Sequence, residues 1–133
     1  MYAKIKHPER PFVLHVFVGV KPEDISKKLN KNKGRTMYFP ADYFESDNNN
    51  NEALTHDLED VLPGHFCIQF NSSPDIGTIA HEVFHVVAKH MRYVSLPLTE
   101  SSEESYAYMF SWLVNEINNK IQKDVRKNQA QSS

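Results

Sequence analysis

The sequence predicts an α+β protein with about three strands, a buried central helix and a long C-terminal helix. Three short runs that are rich in β-branched and aromatic residues predict the strands. Two longer stretches repeat apolar residues every three or four positions, which is typical of helices that pack one face on a core. At 133 residues, the chain is long enough for one compact domain. We expect this domain at residues 1–127, with a disordered tail at residues 128–133.

The predicted strands cover residues 12–20, 36–39 and 65–70. The first of them is apolar almost throughout, except for His15, which we interpret as a hydrogen-bonded strand residue. Residues 1–10 fit an exposed polar lead-in, residues 47–51 a surface loop and residues 52–62 a short helix. A first helix is expected to begin near Pro22, because proline and acidic residues both favour the first turn of a helix.

The central helix is predicted to begin after Ser73, whose side chain suits an N-cap, and to end at Arg92 or Tyr93. The last helix is expected to begin near Thr99. Its apolar positions are Tyr106, Phe110, Leu113, Ile117 and Ile121. This stripe describes an amphipathic helix that packs on the core.

The composition excludes several classes of partner. Hydrophobic residues make up 40% of the chain, charged residues 24%, and the formal net charge is −2, as in ordinary soluble domains. Lys and Arg are dispersed, so we expect no nucleic-acid partner. No apolar run approaches a membrane span, and residues 1–8 lack the apolar segment of a signal peptide. With its single cysteine, Cys67, interpreted as a packed core thiol, the chain is predicted to be cytoplasmic.

The central helix contains the motif His-Glu-x-x-His at His81, Glu82 and His85. Residues four apart lie one above the other on a helix, so the two imidazoles can face the same point in space. Glu82 follows His81 by about 100° around the helix, so its carboxylate can reach the edge of the same site without being a ligand. Two neutral imidazoles on a metal ion, with a carboxylate beside them, form the arrangement that zinc hydrolases use. We therefore predict a Zn²⁺ site with His81 and His85 as ligands.

Two alternatives concern this site. A pair of core histidines, hydrogen-bonded to backbone carbonyls with Glu82 facing solvent, would need no metal. Apolar residues surround the motif, and we expect all three side chains to be buried, where polar groups without partners cost several kcal/mol. Iron, manganese and cobalt stay open as occupants, because imidazole binds several metals.

A catalytic zinc site usually has three protein ligands, so the histidine pair requires one more. His90 follows His85 by five residues and would point away from the metal on a continued helix. Glu103 and Glu104 begin the last helix after a short loop, and such a helix-loop-helix turn could bring a carboxylate back over the imidazoles. Ser101 and Glu104 also fit a capping box, which would explain the acids without a metal.

These residues resemble the gluzincin branch of the zincin metallopeptidases, whose third ligand is a glutamate on the next helix, roughly twenty residues after the second histidine. Glu104 follows His85 by nineteen residues, so the resemblance favours Glu104 over Glu103 as the third ligand. The run at residues 104–109 is similar to the Glu-Ala-Asn-x-Phe-Ala segment of ImmA/IrrE-type metallopeptidases. The size of the chain and its His-Glu-Val-Phe-His segment also resemble small phage and prophage proteins. The resemblance covers about residues 65–115.

The resemblance implies a minimal zincin-like domain, in which a sheet lies against the motif helix. Its edge strand, expected at residues 65–70, would hold an extended peptide or protein substrate by strand addition. The implied reaction is peptide-bond hydrolysis, in which Glu82 takes a proton from a zinc-activated water and delivers it to the leaving amine. Side chains that could stabilise the oxyanion are His90, Tyr93, Tyr106 and Tyr108.

Two other functions compete with a peptidase. One is a catalytically idle zincin fold that retains its metal and serves as a binding or regulatory module. Intact Glu82 favours the enzyme, as does the lack of cysteines that could complete a structural site with four ligands. The other is a non-metal helical interaction protein, which leaves the histidine pair without an explanation. The sequence identifies neither the substrate nor the oligomeric state.

Overall fold

The computed structural model describes residues 1–31, 38–46 and 52–132, which form one four-stranded sheet and three helices. In chain order the elements are β1 (Tyr2–Lys6), β2 (Val13–Val18), α1 (Pro22–Asn30), β3 (Ala53–Asp57), β4 (His65–Phe70), α2 (Ile76–Tyr93) and α3 (Glu103–Ser132). The α+β class and the long C-terminal helix predicted from the sequence are confirmed. The expected number of about three strands is wrong, because the sheet has four.

The strands lie in the order β1-β2-β4-β3. The central pair, β2 and β4, is parallel, and each edge strand pairs antiparallel with its neighbour. Both central strands are largely buried, since they have a neighbour on each side and helices on both faces of the sheet. The prediction that residues 65–70 form the edge strand is therefore wrong. The edge strand beside the motif helix is β3, where Thr55 contacts Glu82.

Side chains on the two faces of the sheet pack into two separate cores. One core joins β1, β2 and β4 to α2 and α3, and its buried members include Leu14, Ile68, Val83, Val86 and Leu113. The other core joins the opposite face to α1 and includes Phe17, Ile25, Leu29 and Cys67. The motif helix α2 is thus held between the sheet and α3 by its apolar face, which leaves its opposite face exposed.

Two edge strands were not predicted. Residues 1–10 are not a polar lead-in, because β1 buries Ala3 and Ile5 and exposes Lys4 and Lys6 in alternation, as a half-buried edge strand does. Residues 52–62 are not a helix, because residues 53–57 pair with β4 as β3. Of the predicted strand at residues 36–39, residues 38 and 39 are not in a strand. Residues 36 and 37 and the predicted loop at 47–51 lie outside the described residues.

The start of α2 differs from the prediction, whereas its end at Tyr93 agrees with it. The N-cap is Asp75 instead of Ser73, and its carboxylate accepts a hydrogen bond from the Thr78 backbone N–H at 2.8 Å. This bond lowers the pKa of the Asp75 carboxyl group. Asp75 and the first turn of α2 line the same recess as the start of β3.

The start of α3 is held by Ser102 instead of Ser101. The Ser102 hydroxyl donates to the Pro97 carbonyl at 2.6 Å and accepts from the Thr99 N–H at 2.8 Å. The Ser102 carbonyl then accepts the first hydrogen bond of the helix, from Tyr106. At its other end α3 continues to Ser132, across most of the stretch for which the sequence predicts a disordered tail. No helix within the described residues is both long and apolar enough to cross a membrane.

Candidate metal centre

The three motif side chains meet beside α2. His81 Nε2 and His85 Nε2 lie 3.3 Å apart, and Glu82 Oε2 lies 3.7 Å from His81 Nε2. One candidate ligand atom from each residue lies within 4.8 Å of those of the other two. The i, i+4 spacing on a regular helix brings the imidazoles together, as the sequence predicts. The structure thus assembles a group that could bind a metal ion.

The distance between the imidazole nitrogens fits a shared zinc ion. Zinc binds histidine nitrogen at about 2.0–2.1 Å with tetrahedral angles, which places two such ligand atoms about 3.3–3.4 Å apart. The observed 3.3 Å lies in this range. The same distance also allows a hydrogen bond between the two rings, at the long end of the range for an N–H donor.

The carboxylate and the two imidazoles differ in their exposure to solvent. His81 and His85 are exposed, and the side chain of His81 retains 70% of its accessible surface. The expectation that both histidines are buried is therefore wrong, because they lie on the face of α2 that is turned away from the core. Glu82 is 5% exposed, so the alternative in which it faces solvent is also wrong. The two imidazoles can be reached from solvent, and the carboxylate lies recessed beside them.

Thr55 supplies a hydrogen-bond donor to the buried Glu82 carboxylate. Its hydroxyl donates to Glu82 Oε1 at 3.0 Å and lies 3.4 Å from the Glu82 backbone carbonyl. A buried carboxylate needs such donors, because burying an unpaired charge is costly. Sequence reasoning missed Thr55, since it treated residues 52–62 as a helix. An edge strand in that stretch would have pointed to it.

A further histidine, His56, follows Thr55 in β3 and bonds to Gln69 Oε1 at 2.6 Å. Burial lowers the pKa of His56, whereas the hydrogen bond to Gln69 and the negative charge of Glu82 act in the opposite direction. The net lowering keeps the His56 ring largely neutral at neutral pH. It therefore adds no full positive charge near the carboxylate of Glu82.

Two recesses in the surface are lined by residues of α2. A polar recess of about 460 Å³ is lined by Ala53, Thr78, His81 and Glu82, between the starts of β3 and α2. A largely apolar groove of about 760 Å³ lies between α2 and α3. Phe84 lines this groove, and its ring centroid lies 6.3 Å from that of His85. The polar recess therefore includes two motif side chains, whereas the apolar groove approaches the motif through Phe84.

The two candidate third ligands occupy different positions. Glu103 and Glu104 are both exposed in the first turn of α3. Glu103 lines the apolar groove together with Phe84 and Ala88 of α2, whereas Glu104 is not among the lining residues. Neither carboxylate belongs to the group of ligand atoms within 4.8 Å of one another. The structure thus brings together His81, Glu82 and His85 but not Glu104.

Of the remaining predicted side chains, His90 and Tyr106 make contacts elsewhere. His90 points away from it, as predicted, and is fully buried with its ring centroid 5.1 Å from that of Phe12. The Tyr106 hydroxyl donates to the Leu96 carbonyl, which ties α3 to the loop before it. Tyr93 and Tyr108 are exposed, and Cys67 is buried, as expected of a core thiol.

Comparison of the chain with protein-family models, with curated proteins and with solved structures finds no match. Support for a metal site therefore comes from the geometry of the candidate group itself. The likeness to zincins rests on the motif residues His81, Glu82 and His85.

Proposed function

We propose that this protein is a zinc-dependent metallopeptidase, with His81 and His85 as metal ligands and Glu82 as the general base. The observation that carries the proposal is the 3.3 Å separation of the two Nε2 atoms, with the Glu82 carboxylate recessed beside them. Nitrogen ligands at this separation suit zinc in tetrahedral coordination. A carboxylate next to such a pair, tethered through its other oxygen, has the position of a proton acceptor.

Each residue has a distinct part in hydrolysis. When bound, zinc makes water more acidic and polarises a carbonyl group. His81 and His85 hold the ion through the two facing Nε2 atoms. Glu82 accepts the proton of the attacking water at Oε2, the oxygen that faces His81, and later delivers it to the leaving amine. The burial of Glu82 keeps bulk water away from one side of this carboxylate.

An extended peptide fits the surroundings of the site. β3 is an edge strand of the sheet that the described residues form and lies beside Glu82, so a peptide could pair with its outer edge. The polar recess at the start of β3 would receive one side of the peptide, and the apolar groove would receive a side chain on the other. Peptides and proteins are therefore the proposed substrate class.

The third ligand is proposed to come from the first turn of α3. The resemblance to gluzincins favours Glu104, whereas the position of Glu103 in the groove beside α2 favours Glu103. Zinc content of purified Glu103→Ala and Glu104→Ala proteins separates the two. The variant that loses zinc identifies the ligand, and a full zinc content in both would exclude this helix turn as its source.

Hydrolysis by the zinc-loaded protein is tested with a mixed peptide library and mass spectrometry, in wild type and Glu82→Gln. The amide keeps the shape of the side chain but cannot accept the proton, so cleavage should fall by about 10²–10⁴-fold. Zinc content should stay unchanged, because Glu82 is not a proposed ligand. Equal cleavage by the two proteins would contradict the role given to Glu82.

A metal-retaining binding module is the second candidate function. It is favoured by one observation, namely that the group of ligand atoms within 4.8 Å contains Glu82 but no carboxylate of α3, so Glu82 could itself be the third ligand and not a general base. A protein that binds zinc tightly through His81 and His85 but cleaves no peptide in the library would support this candidate.

A further inference from the structure

Thr55 bonds to the side chain and lies near the backbone of Glu82. Its hydroxyl donates to Oε1 at 3.0 Å, and the 3.4 Å distance to the Glu82 carbonyl allows a second, weaker contact. Hydrogen bonds to a carboxylate are among the stronger ones in proteins. Thr55 itself is fixed, since it pairs with Ile68 in the sheet and its branched side chain has few rotamers.

The carboxylate of Glu82 has two possible roles in a metal site. Its distance of 3.7 Å from His81 Nε2 is close enough for Glu82 to join the ligand set. A carboxylate bound to the ion would be a poor proton acceptor, because the metal draws charge from its oxygens. A catalytic site therefore needs a feature that keeps this side chain near the ion but prevents it from becoming a ligand.

The geometry points to Thr55 as that feature. We infer that Thr55 is a positioning residue, which holds Glu82 outside the ligand set and leaves its Oε2 oxygen free to accept a proton. Glu82 is buried below two exposed imidazoles, on the side of α2 that faces β3, and Oε1 is turned towards the Thr55 hydroxyl. This inference rests on the proposed metal site at His81 and His85.

Cobalt(II) in place of zinc tests the inference without any substrate, because its visible absorption depends on the number and type of its ligands. Wild type, Thr55→Ser and Glu82→Gln should give the same spectrum, since Ser keeps the donor and Glu82 is not a ligand. Thr55→Val keeps the shape of the side chain but removes the donor. Its spectrum should change as the freed carboxylate joins the ion, and the double variant Thr55→Val/Glu82→Gln should restore the wild-type spectrum.

Either of two spectra would overturn the inference. A changed spectrum in Glu82→Gln alone would mean that Glu82 already binds the ion in the wild type. An unchanged spectrum in Thr55→Val would mean that the hydroxyl does not hold the carboxylate away. Thermal unfolding of each variant, compared with wild type, checks that the fold is intact. The spectrum of Glu82→Gln tests the inference even if Thr55→Val does not fold.

The rate of peptide hydrolysis is a second measurement of the role of Thr55. Thr55→Val should lower kcat by about 10–100-fold, as is usual for residues that orient a metal site, and Thr55→Ser should recover it. KM should change little, because the proposed pairing with substrate uses the backbone of β3, whereas the Thr55 side chain bonds to Glu82. If the protein cleaves no peptide but the cobalt spectra behave as expected, the peptidase proposal fails and the positioning role stands. If cleavage is found but is equal in all Thr55 variants, only the positioning role fails.

Discussion

At the scale of single residues, the histidines of this chain lie in very different environments. His81 and His85 are exposed and face each other. His15 is buried in β2, where its ring nitrogens bond to Tyr2 and His65, in agreement with the prediction of a hydrogen-bonded strand residue. His90 is fully buried, and neither ring nitrogen has a hydrogen-bond partner among the described residues. A histidine in such a place opposes folding, particularly when it must become charged.

Replacing His90 with Leu should stabilise the protein, and more at pH 5 than at pH 7.5. Burial, followed by the nearby charges of Arg10 and His7, lowers the pKa of His90 from 6.5 to about 4. Between these values the unfolded chain binds a proton that the folded protein does not, so the contribution of His90 to stability falls as the pH falls through this window. His90→Leu removes this term, which amounts to about 1–2 kcal/mol at pH 5.

Urea unfolding of wild type and His90→Leu at both pH values measures this difference. The comparison of the two proteins cancels the titration of groups that do not interact with His90. An advantage of the variant that is equal at the two pH values would show that His90 titrates normally in the folded protein.

At the scale of elements, long periodic stretches were predictable and short paired ones were not. The end of α2 and the position of His85 over His81 follow from a helical period alone. β3, with the sequence Ala-Leu-Thr-His-Asp, has little of the composition of a strand and takes this form because it pairs with β4. The sequence predicts the N-cap of α2 two residues too early. Ser73 and Asp75 are both good N-cap residues, and only the backbone conformation determines which of them caps the helix.

Gly64, which leads into β4, is required by the backbone. Its φ is +79°, and a Cβ atom there would lie 2.5 Å from the Pro11 carbonyl oxygen. The Gly64 carbonyl also accepts from the Val13 N–H, so this segment cannot shift freely. Gly64→Ala should therefore destabilise the protein by about 1–3 kcal/mol.

Gly77 in the first turn of α2 provides a matched control. Its φ is not in the left-handed region, and an added Cβ would make an ordinary contact at 3.5 Å with Asp75 Oδ1. Gly77→Ala should raise stability by about 0.4–1 kcal/mol, because the unfolded chain loses freedom. Chemical unfolding of the two variants tests both expectations, and similar changes in the two would contradict the role given to the Gly64 backbone.

At the scale of the whole molecule, the candidate centre depends on packing that cannot be inferred from patterns in the sequence. The motif itself comes from one helix, whereas the exposure of its two imidazoles depends on which face of α2 packs on the core. The recessed position of Glu82 requires β3, and the groove beside Phe84 requires the angle at which α3 packs on α2. Such contacts join residues far apart in the chain, and hydrophobic periodicity gives only the face that packs, not its partner. For the same reason, the choice of Glu103 or Glu104 could not be made from spacing alone.

Zinc binding by the purified protein at neutral pH is the measurement that tests the central claim most directly. Calorimetric titration should give one zinc per chain for wild type and for His7→Asn, a control that lies outside the motif and keeps an acceptor for Glu9 and Arg10. His81→Ala and His85→Ala should each lose this binding while they remain folded. Binding that is absent in wild type, or unchanged in both motif variants, would contradict a metal centre at His81 and His85.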